Sequence, residues 1–468
     1  LKQQVYNPYL PSYEYIPDGE PHVFGDRLYI FGSHDRFNGT EYCQNDYVCW
    51  STPVDDLSAW RYEGVIFRKD QHPYQSDKGL LFAPDVAQGP DGRYYLYFSA
   101  AGSCIISVAV SDNPAGPYGY YGDIRDDSGH VLGSSKGDYY QFDPAILMDD
   151  DGRIFLYSGF NPLFREELLG RKIVGAFVME LHLDMLTVKA GPKIIMPRKN
   201  KQAGRYNFFE ANSIRKINGI YYFVYSPYLM GLCYATSKYP DRDFVYRGVI
   251  HSNSDLGING HNLKNPAYPL GNNHGSIVCI NGQYYIFNHR MTNNNQFSRQ
   301  AIAEPIAIEP DGSIKQVEMT SCGLNGGPLH GQGEYPAYIA CCLMRKRFFG
   351  GIQNPFSKPP YMTQEGEDRE DNSNQYIASI TDGCTAGYKY FNFDKASRIS
   401  VKVRGDASGE LRVQLCEKGA AVSIIKLNIS GKDWTEFSGD FQVLPGVHPL
   451  FFVYKGKGSF DLMSFSIQ

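Results

Sequence analysis

Five residues capable of chemistry stand at one register of a repeated pattern. Asp18, Asp85, Asp143, Glu210 and His274 each lie seven to nine residues before a turn glycine: Gly25, Gly92, Gly152, Gly219 and Gly282. The four acids have small, rigid or apolar neighbours, as in Pro17-Asp18-Gly19, Ala83-Pro84-Asp85-Val86, Phe142-Asp143-Pro144-Ala145 and Phe209-Glu210-Ala211-Asn212. Small neighbours let the backbone approach a ligand, and a proline restricts the direction of the side chain beside it. One Asp next to Pro is usually a turn former. Four acids and an imidazole in one place are electrostatically costly unless a substrate or cation uses them. Glycosidic hydrolysis is a chemistry that needs carboxyl groups in opposite protonation states. One must donate a proton to the leaving oxygen, and the other must be ionised to activate water or attack the anomeric carbon. A third carboxylate can raise the donor's pKa by like-charge repulsion.

The elements that must bring these residues together are short strands. A Gly-centred turn followed by alternating aromatic and aliphatic residues occurs five times: Phe24–Ser33, Asp91–Ser99, Asp151–Ser158, Asn218–Ser226 and Asn281–His289. The glycines are 67, 60, 67 and 63 residues apart. Asn-Gly and Asp-Gly favour two-residue hairpin turns, and the Tyr, Phe, Ile and Val that follow pack well on a pleated surface. A repeat of about 64 residues fits a four-stranded blade with its connections. Five of them predict an all-β, five-bladed β-propeller, which leaves only short, protected sheet edges. The innermost strand of each blade lines the channel, so the five polar positions converge there.

Composition narrows the function. With 45 Lys+Arg against 50 Asp+Glu the chain has a formal charge of −5, unlike the basic excess of a dedicated nucleic-acid binder. No apolar stretch approaches the ~18 residues of a membrane span. Phosphate-loop and H-E-x-x-H motifs are absent, and no organic cofactor is expected. The ten cysteines show no C-x-x-C spacing and the first residues no apolar leader, which predicts a reducing, cytoplasmic setting. The expected partner is a carbohydrate, with no nucleic acid and no membrane; the oligomeric state is not legible.

Asn7–Pro11 followed by Tyr15-Ile-Pro-Asp18-Gly-Glu-Pro-His-Val-Phe24 resembles the opening of glycoside hydrolase family 43. Ala83-Pro84-Asp85, Phe142-Asp143-Pro144, Phe208-Phe209-Glu210-Ala211 and Asn273-His274-Gly275-Ser276 extend the likeness over residues 5–320. The resemblance implies that Asp18 is the general base, Glu210 the general acid and Asp143 the acid that tunes and orients the donor. It also implies inversion, with Asp18 and Glu210 roughly 6.5–9.5 Å apart. Asp85, Arg290, Phe82 and His34 are expected to bind substrate, and His274 to hold a calcium ion at the channel centre, largely through waters. A hydrogen-bonded His274 without metal is the other reading. Gly19 departs from the proline common after the base, and Glu20 is a rival base. The implied activity is an exo-acting α-L-arabinofuranosidase on arabinose-containing plant oligosaccharides or side chains. A β-xylosidase and a non-catalytic sugar-binding propeller are the alternatives, and retention of all three acids argues against the latter.

The pattern changes near residue 330, giving expected domains of 1–330 and 331–468. The polar run Met362–Asn374 reads as a loop. Beyond it, alternating strands with turns every 8–12 residues predict a β-sandwich of jelly-roll type. This segment resembles a family 6 carbohydrate-binding module through Ile380–Phe391, Asp433-Trp434 and Phe460–Phe465. Ala337–Cys342 replaces the usual acidic opening strand, Ser459 a sugar-binding Asn and Met463 a Trp. A structural domain packed on the propeller is therefore expected, with a working binding module as the alternative and Trp434 in a packed role.

Overall fold

The computed structural model describes residues 3–228, 231–345, 360–369 and 374–468. Blade one is the antiparallel sheet Glu20–Phe24, Arg27–Phe31, Tyr47–Pro53 and Arg61–Phe67. Blade two runs Leu81–Gln88, Tyr94–Ala100, Ile106–Ser111 and Gly119–Asp123. Blade three comprises Ala145–Met148, Ile154–Phe160, Gly175–Leu181 and Val188–Pro197, with the small hairpin Glu167–Leu168/Arg171–Lys172 outside it. Blade four is Phe208–Ile217, Ile220–Pro227, Leu232–Ser237 and Val245–His251. Blade five has Ile277–Ile280, Gln283–Arg290 and Gln300–Ile306 among the described residues. The chain therefore folds as a five-bladed β-propeller. The segment from Tyr118 to Asp138 contains the fourth strand of blade two, Gly119–Asp123.

The hairpin chemistry explains the repeat. Asn218-Gly219 and Asn281-Gly282 have positive φ at both residues (51° and 78°, 49° and 84°), as a two-residue turn of matching twist requires. Apolar side chains between the blades form separate clusters, such as Leu156, Ile106 and Phe177 between blades two and three. A parallel bridge from Gly19 to Gly275 joins blade one to blade five. The N-terminal segment reinforces that junction. Asn7 Nδ2 donates to the Ala303 carbonyl (2.9 Å) and to Glu304 Oε1 (2.8 Å), while Val5 and Leu10 enter the apolar cluster shared by blades one and five.

From Leu329–His330 onward the chain forms one ten-stranded sheet that curls around its own core. Two long strands, Arg398–Gln414 and Gly446–Ile467, pair from Ile399↔Ile467 to Gln414↔Phe451 and pass through the bend. Strands that cross a corner in this way connect the two layers by hydrogen bonds. At Gly458 the bend is so tight that a Cβ would sit 1.9 Å from the Asp406 carbonyl oxygen. The run from Met362, expected to be a loop, begins as strand: Tyr361–Gln364 pairs with Gln375–Ile380. The core of this unit also takes in Ala267, Tyr268, Ile302 and Met319 from the propeller side. Arg404 lies over the Trp434 ring at 4.2 Å and pairs with Asp461, so that face of the indole is covered. No helix among the described residues is long and apolar enough to cross a membrane.

Candidate active site

A cavity of about 460 Å³ opens on the propeller axis, lined by Asp18, Asp143, Glu210 and His274 together with Phe82, Phe142 and Phe209. Local backbone irregularities aim the acids into it. Asp18 and Asp143 stand just before innermost strands with φ of 59° and 47°, a left-handed conformation that Asp tolerates better than most residues. On blade four the pairing register shifts on both sides of Glu210, and Ala211 takes φ 69°. A bulge of this kind re-aims a side chain out of the regular alternation. Asp143 Oδ2 accepts the Ala211 N–H at 2.9 Å, and Asn212 Nδ2 donates to the Asp143 carbonyl at 2.9 Å, so blades three and four lock the two acids together. The Asp18 N–H donates to His289 Nδ1 at 3.2 Å. Nδ1 therefore carries no proton, and Nε2 donates to Asn272 Oδ1 at 3.0 Å.

The electrostatics separate the carboxyl groups. Burial alone would raise Asp18, but Arg299, His289 and His274 more than reverse this and hold it down at about 2. Arg299 Nη1 donates to Asp18 Oδ1 at 3.0 Å. The same guanidinium grips Asp35 through Nε (2.8 Å) and Nη2 (3.0 Å), a bidentate fork that fixes its plane. Burial, with the Asp18 charge behind it, pushes Glu210 up to about 8 against the pull of Arg299. Asp143 moves up as well, by burial first and then by repulsion from Glu210 and Asp18. Near neutral pH the cavity thus holds an ionised Asp18 facing a protonated Glu210. Such a pair can activate water on one side of a sugar and protonate a leaving oxygen on the other.

The other expected contacts divide. Phe82 lines the cavity. Asp85 does not: the register shift between Phe82 and Asp85 turns it down the channel, where it binds His22 Nε2 (2.7 Å) and the N–H of Ile146 (2.8 Å). Glu20 lies at that lower level too, paired with Arg215 at 2.8 Å and facing Ser213 and Ser276, away from the cavity lining. His34 is buried behind the wall, donating from Nδ1 to the Asp46 carbonyl (2.7 Å) with Nε2 2.9 Å from Glu14. Arg290 faces the C-terminal unit, donating to the carbonyls of Ala340 (3.0 Å) and Tyr338 (2.8 Å).

Sequence reasoning missed Arg299, and the register explains why. Arg290 pairs across the hairpin with Gln300, so those two side chains share a face, bonded at 2.9 Å. Arg299, one residue earlier, points to the opposite face and into the channel. Tyr42, Cys43 and Gln296 of the lining were also missed, because they come from loops that carry no repeat signal.

Calcium takes an oxygen-rich cage. The His274 ring offers nitrogen, with Nδ1 3.8 Å from both Asp18 and Asp143. Below it, Glu20, His22 and Asp85 place ligand atoms within 4.8 Å of one another, but Glu20 is already paired with Arg215 and Asp85 with His22. These side chains do not by themselves make a calcium cage.

An axial cavity holding one ionised and one protonated carboxyl group suits glycosidic hydrolysis. Residues 16–314 match the glycosyl hydrolases family 43, and the chain belongs to that family. It is 49% identical to a xylosidase/arabinosidase of Thermoclostridium stercorarium, over 100% of this chain and 99% of that protein. Among solved structures, a family 43 β-xylosidase/α-arabinofuranosidase from a compost microbial metagenome, in complex with xylotriose, is 28% identical. It has a TM-score of 0.53, over 66% of this chain and 97% of its own. An arabinoxylan arabinofuranohydrolase from Bacillus subtilis shares the fold along the whole length, with TM-score 0.53 at 23% identity, covering 99% of this chain and 97% of that one.

Proposed function

We propose that the chain is an inverting, exo-acting α-L-arabinofuranosidase that removes arabinose from plant oligosaccharides or polysaccharide side chains. The observation that carries this reading is the split between Asp18, held near 2, and Glu210, raised to about 8, within one cavity. Asp18 takes a proton from water as it attacks the anomeric carbon, and Glu210 gives its proton to the departing oxygen. Asp143 holds the Ala211 N–H and so fixes the backbone beside the donor. The hydrogen bond from Tyr42 to Gln296 joins two loops at the cavity wall, which favours a pocket for a chain end over an open groove. Relatives named for arabinose release support the choice of sugar.

A β-xylosidase is the second reading, favoured by the paired xylosidase/arabinosidase name of the 49% identical relative. A proton NMR time course on arabinoxylan and arabinan oligosaccharides distinguishes them. β-L-Arabinose appearing before mutarotation is expected. α-D-Xylose as the first product would move the specificity to xylosidase, and a first product of retained configuration would overturn the assignment of Asp18 as base.

A further inference from the structure

The cavity wall beside Asp18 is built from two loops, and both are held from outside by the C-terminal unit. Residues 36–46, between the second and third strands of blade one, supply Tyr42 and Cys43 to the lining. Residues 292–299 supply Gln296 and Arg299. Asp368, in the C-terminal unit, accepts the Phe37 N–H on Oδ1 at 2.7 Å and the Asn45 amide on Oδ2 at 3.0 Å. One carboxylate thus captures both ends of the first loop. Beside it, Arg369 Nη1 reaches both oxygens of the buried Glu14 (2.7 and 2.9 Å), which also accepts from Trp50 of blade one. The strand Tyr361–Gln364 secures the second loop: the Asn293 N–H donates to the Met362 carbonyl (2.6 Å) and Thr363 Oγ1 to Asn293 Oδ1 (3.0 Å).

These contacts lead inward without a gap. Asn45 Nδ2 also donates to the Asp35 carbonyl (3.0 Å), and the Asp35 carboxylate accepts the Cys43 N–H (3.0 Å) and holds Arg299. Arg299 binds Asp18, and its guanidinium carbon lies 4.8 Å from the centre of the Tyr42 ring. Five of these residues, Asp368, Asn45, Asp35, Arg299 and Asp18, belong to two structural units and form one connected path.

We propose that Asp368 is a positioning residue of the active site, through which the C-terminal unit sets the shape of the base-side wall and therefore the fit of the sugar being released. The unit is then a component of the catalytic pocket in addition to a packed neighbour. The proposal rests on Asp18 being the base. Loosening the 36–46 loop weakens sugar binding in ground and transition states alike, while the donor Glu210, carried by blade four and by neither clamped loop, keeps its place. That combination raises KM and leaves kcat largely intact. A merely structural role would instead lower the melting temperature and the active fraction, with KM constant.

The test compares the full-length parent with Asp368→Ala and Asp368→Asn. Kinetics use aryl α-L-arabinofuranoside and aryl β-D-xyloside, and hydrogen exchange follows the amides of 36–46. Losing hydrogen bonds to a charged acceptor predicts a KM increase of roughly ten-fold for Asp368→Ala, with kcat within about three-fold. Faster exchange at Phe37 and Cys43 should accompany it. Asp368→Asn keeps an oxygen for the Phe37 N–H and should recover part of the KM. Unchanged KM with parent-like exchange overturns the proposal, as does a fall in kcat alone with constant KM. If Asp368→Ala does not fold, Asp368→Asn decides by the same criteria. If the parent cleaves neither glycoside, the sugar assignment fails separately, and loop exchange decides whether Asp368 is the clamp.

Discussion

Arg299 reaches Asp18 Oδ1 at 3.0 Å across 281 positions of sequence, and the same guanidinium spans both oxygens of Asp35. The three groups are buried, so two negative charges share one positive charge away from water. Asp35 holds the arginine still, and the arginine keeps Asp18 ionised. The proton inventory of the cavity follows from this, since Asp18 is a charge that pushes Glu210 upward.

Arg299→Met should therefore act on stability and on pH together. Removing one partner of a buried ion pair costs about 3–5 kcal/mol because the charge left behind is unpaired. Asp18, depressed to about 2 from an ordinary 3.8, contributes stability that is present above 3.8 and lost as pH falls through 2. In the variant that contribution disappears. The acid limb of kcat/KM should move upward toward neutrality, and the gap in unfolding free energy between parent and variant should be wider at pH 6 than at pH 2. Denaturant titrations at the two pH values, with a pH–rate profile, check both. An acid limb that stays in place would remove Arg299 from its role.

Glu210 titrates on the other side. Its acid form is favoured up to about 8, so kcat/KM should fall as pH rises through that region, and the stability linked to its burial should fall with it. Glu210→Gln removes the proton donor and should lower kcat about 10²–10⁴-fold on natural glycosides. The loss should be much smaller with a nitrophenyl leaving group, which departs without protonation. Equal losses on both substrates would mean that Glu210 is not the donor.

The propeller was legible because a strand repeat writes itself into sequence twice, as turn dipeptides and as aromatic alternation. Gly25, Gly92, Gly152, Gly219 and Gly282 all take the positive φ that their spacing predicts. Asp18, Asp143, Glu210 and His274 converge because a common register converges in a radial fold. Asp85 shares that register and still points elsewhere, because the irregularity after Phe82 changes its side of the strand. Arg290 and Arg299 could not be told apart without knowing which residue of the hairpin opposes Gln300. The Asp368 clamp joins residues 331 positions apart, and local patterning carries no trace of such a contact.

Asp143 offers a sharper test of its own role. Burial first, then repulsion from Glu210 and Asp18, favours its acid form, and an amide is close to that form in shape and charge. Asp143→Asn keeps an oxygen for the Ala211 N–H, whereas Asp143→Ala leaves that donor unpaired. Misplacing the backbone next to Glu210 should cost roughly 10²-fold in kcat. Asp143→Ala should therefore lose much more activity than Asp143→Asn, with the alkaline limb of Asp143→Asn close to that of the parent. Equal losses, or a large downward shift of that limb in Asp143→Asn, would instead give Asp143 an electrostatic role.

Arg290 is buried against Ala340, Tyr338 and Gln300, and its guanidinium carbon lies 5.8 Å from the centre of the Tyr268 ring. All of these partners belong to the seam between propeller and C-terminal unit. Arg290→Met should leave two carbonyls and one side-chain amide oxygen without their donor, at a cost of about 2–4 kcal/mol. KM for any glycoside the parent cleaves should stay within about two-fold, because no partner of Arg290 lines the cavity. Thermal unfolding followed by calorimetry and by activity gives the two numbers independently. A lower melting temperature with unchanged KM is the expected pair. An unchanged melting temperature with a KM raised roughly ten-fold or more would return Arg290 to the sugar, and would require the Gln283–Arg290/Gln300–Ile306 hairpin to pair one residue out of register from Arg290↔Gln300.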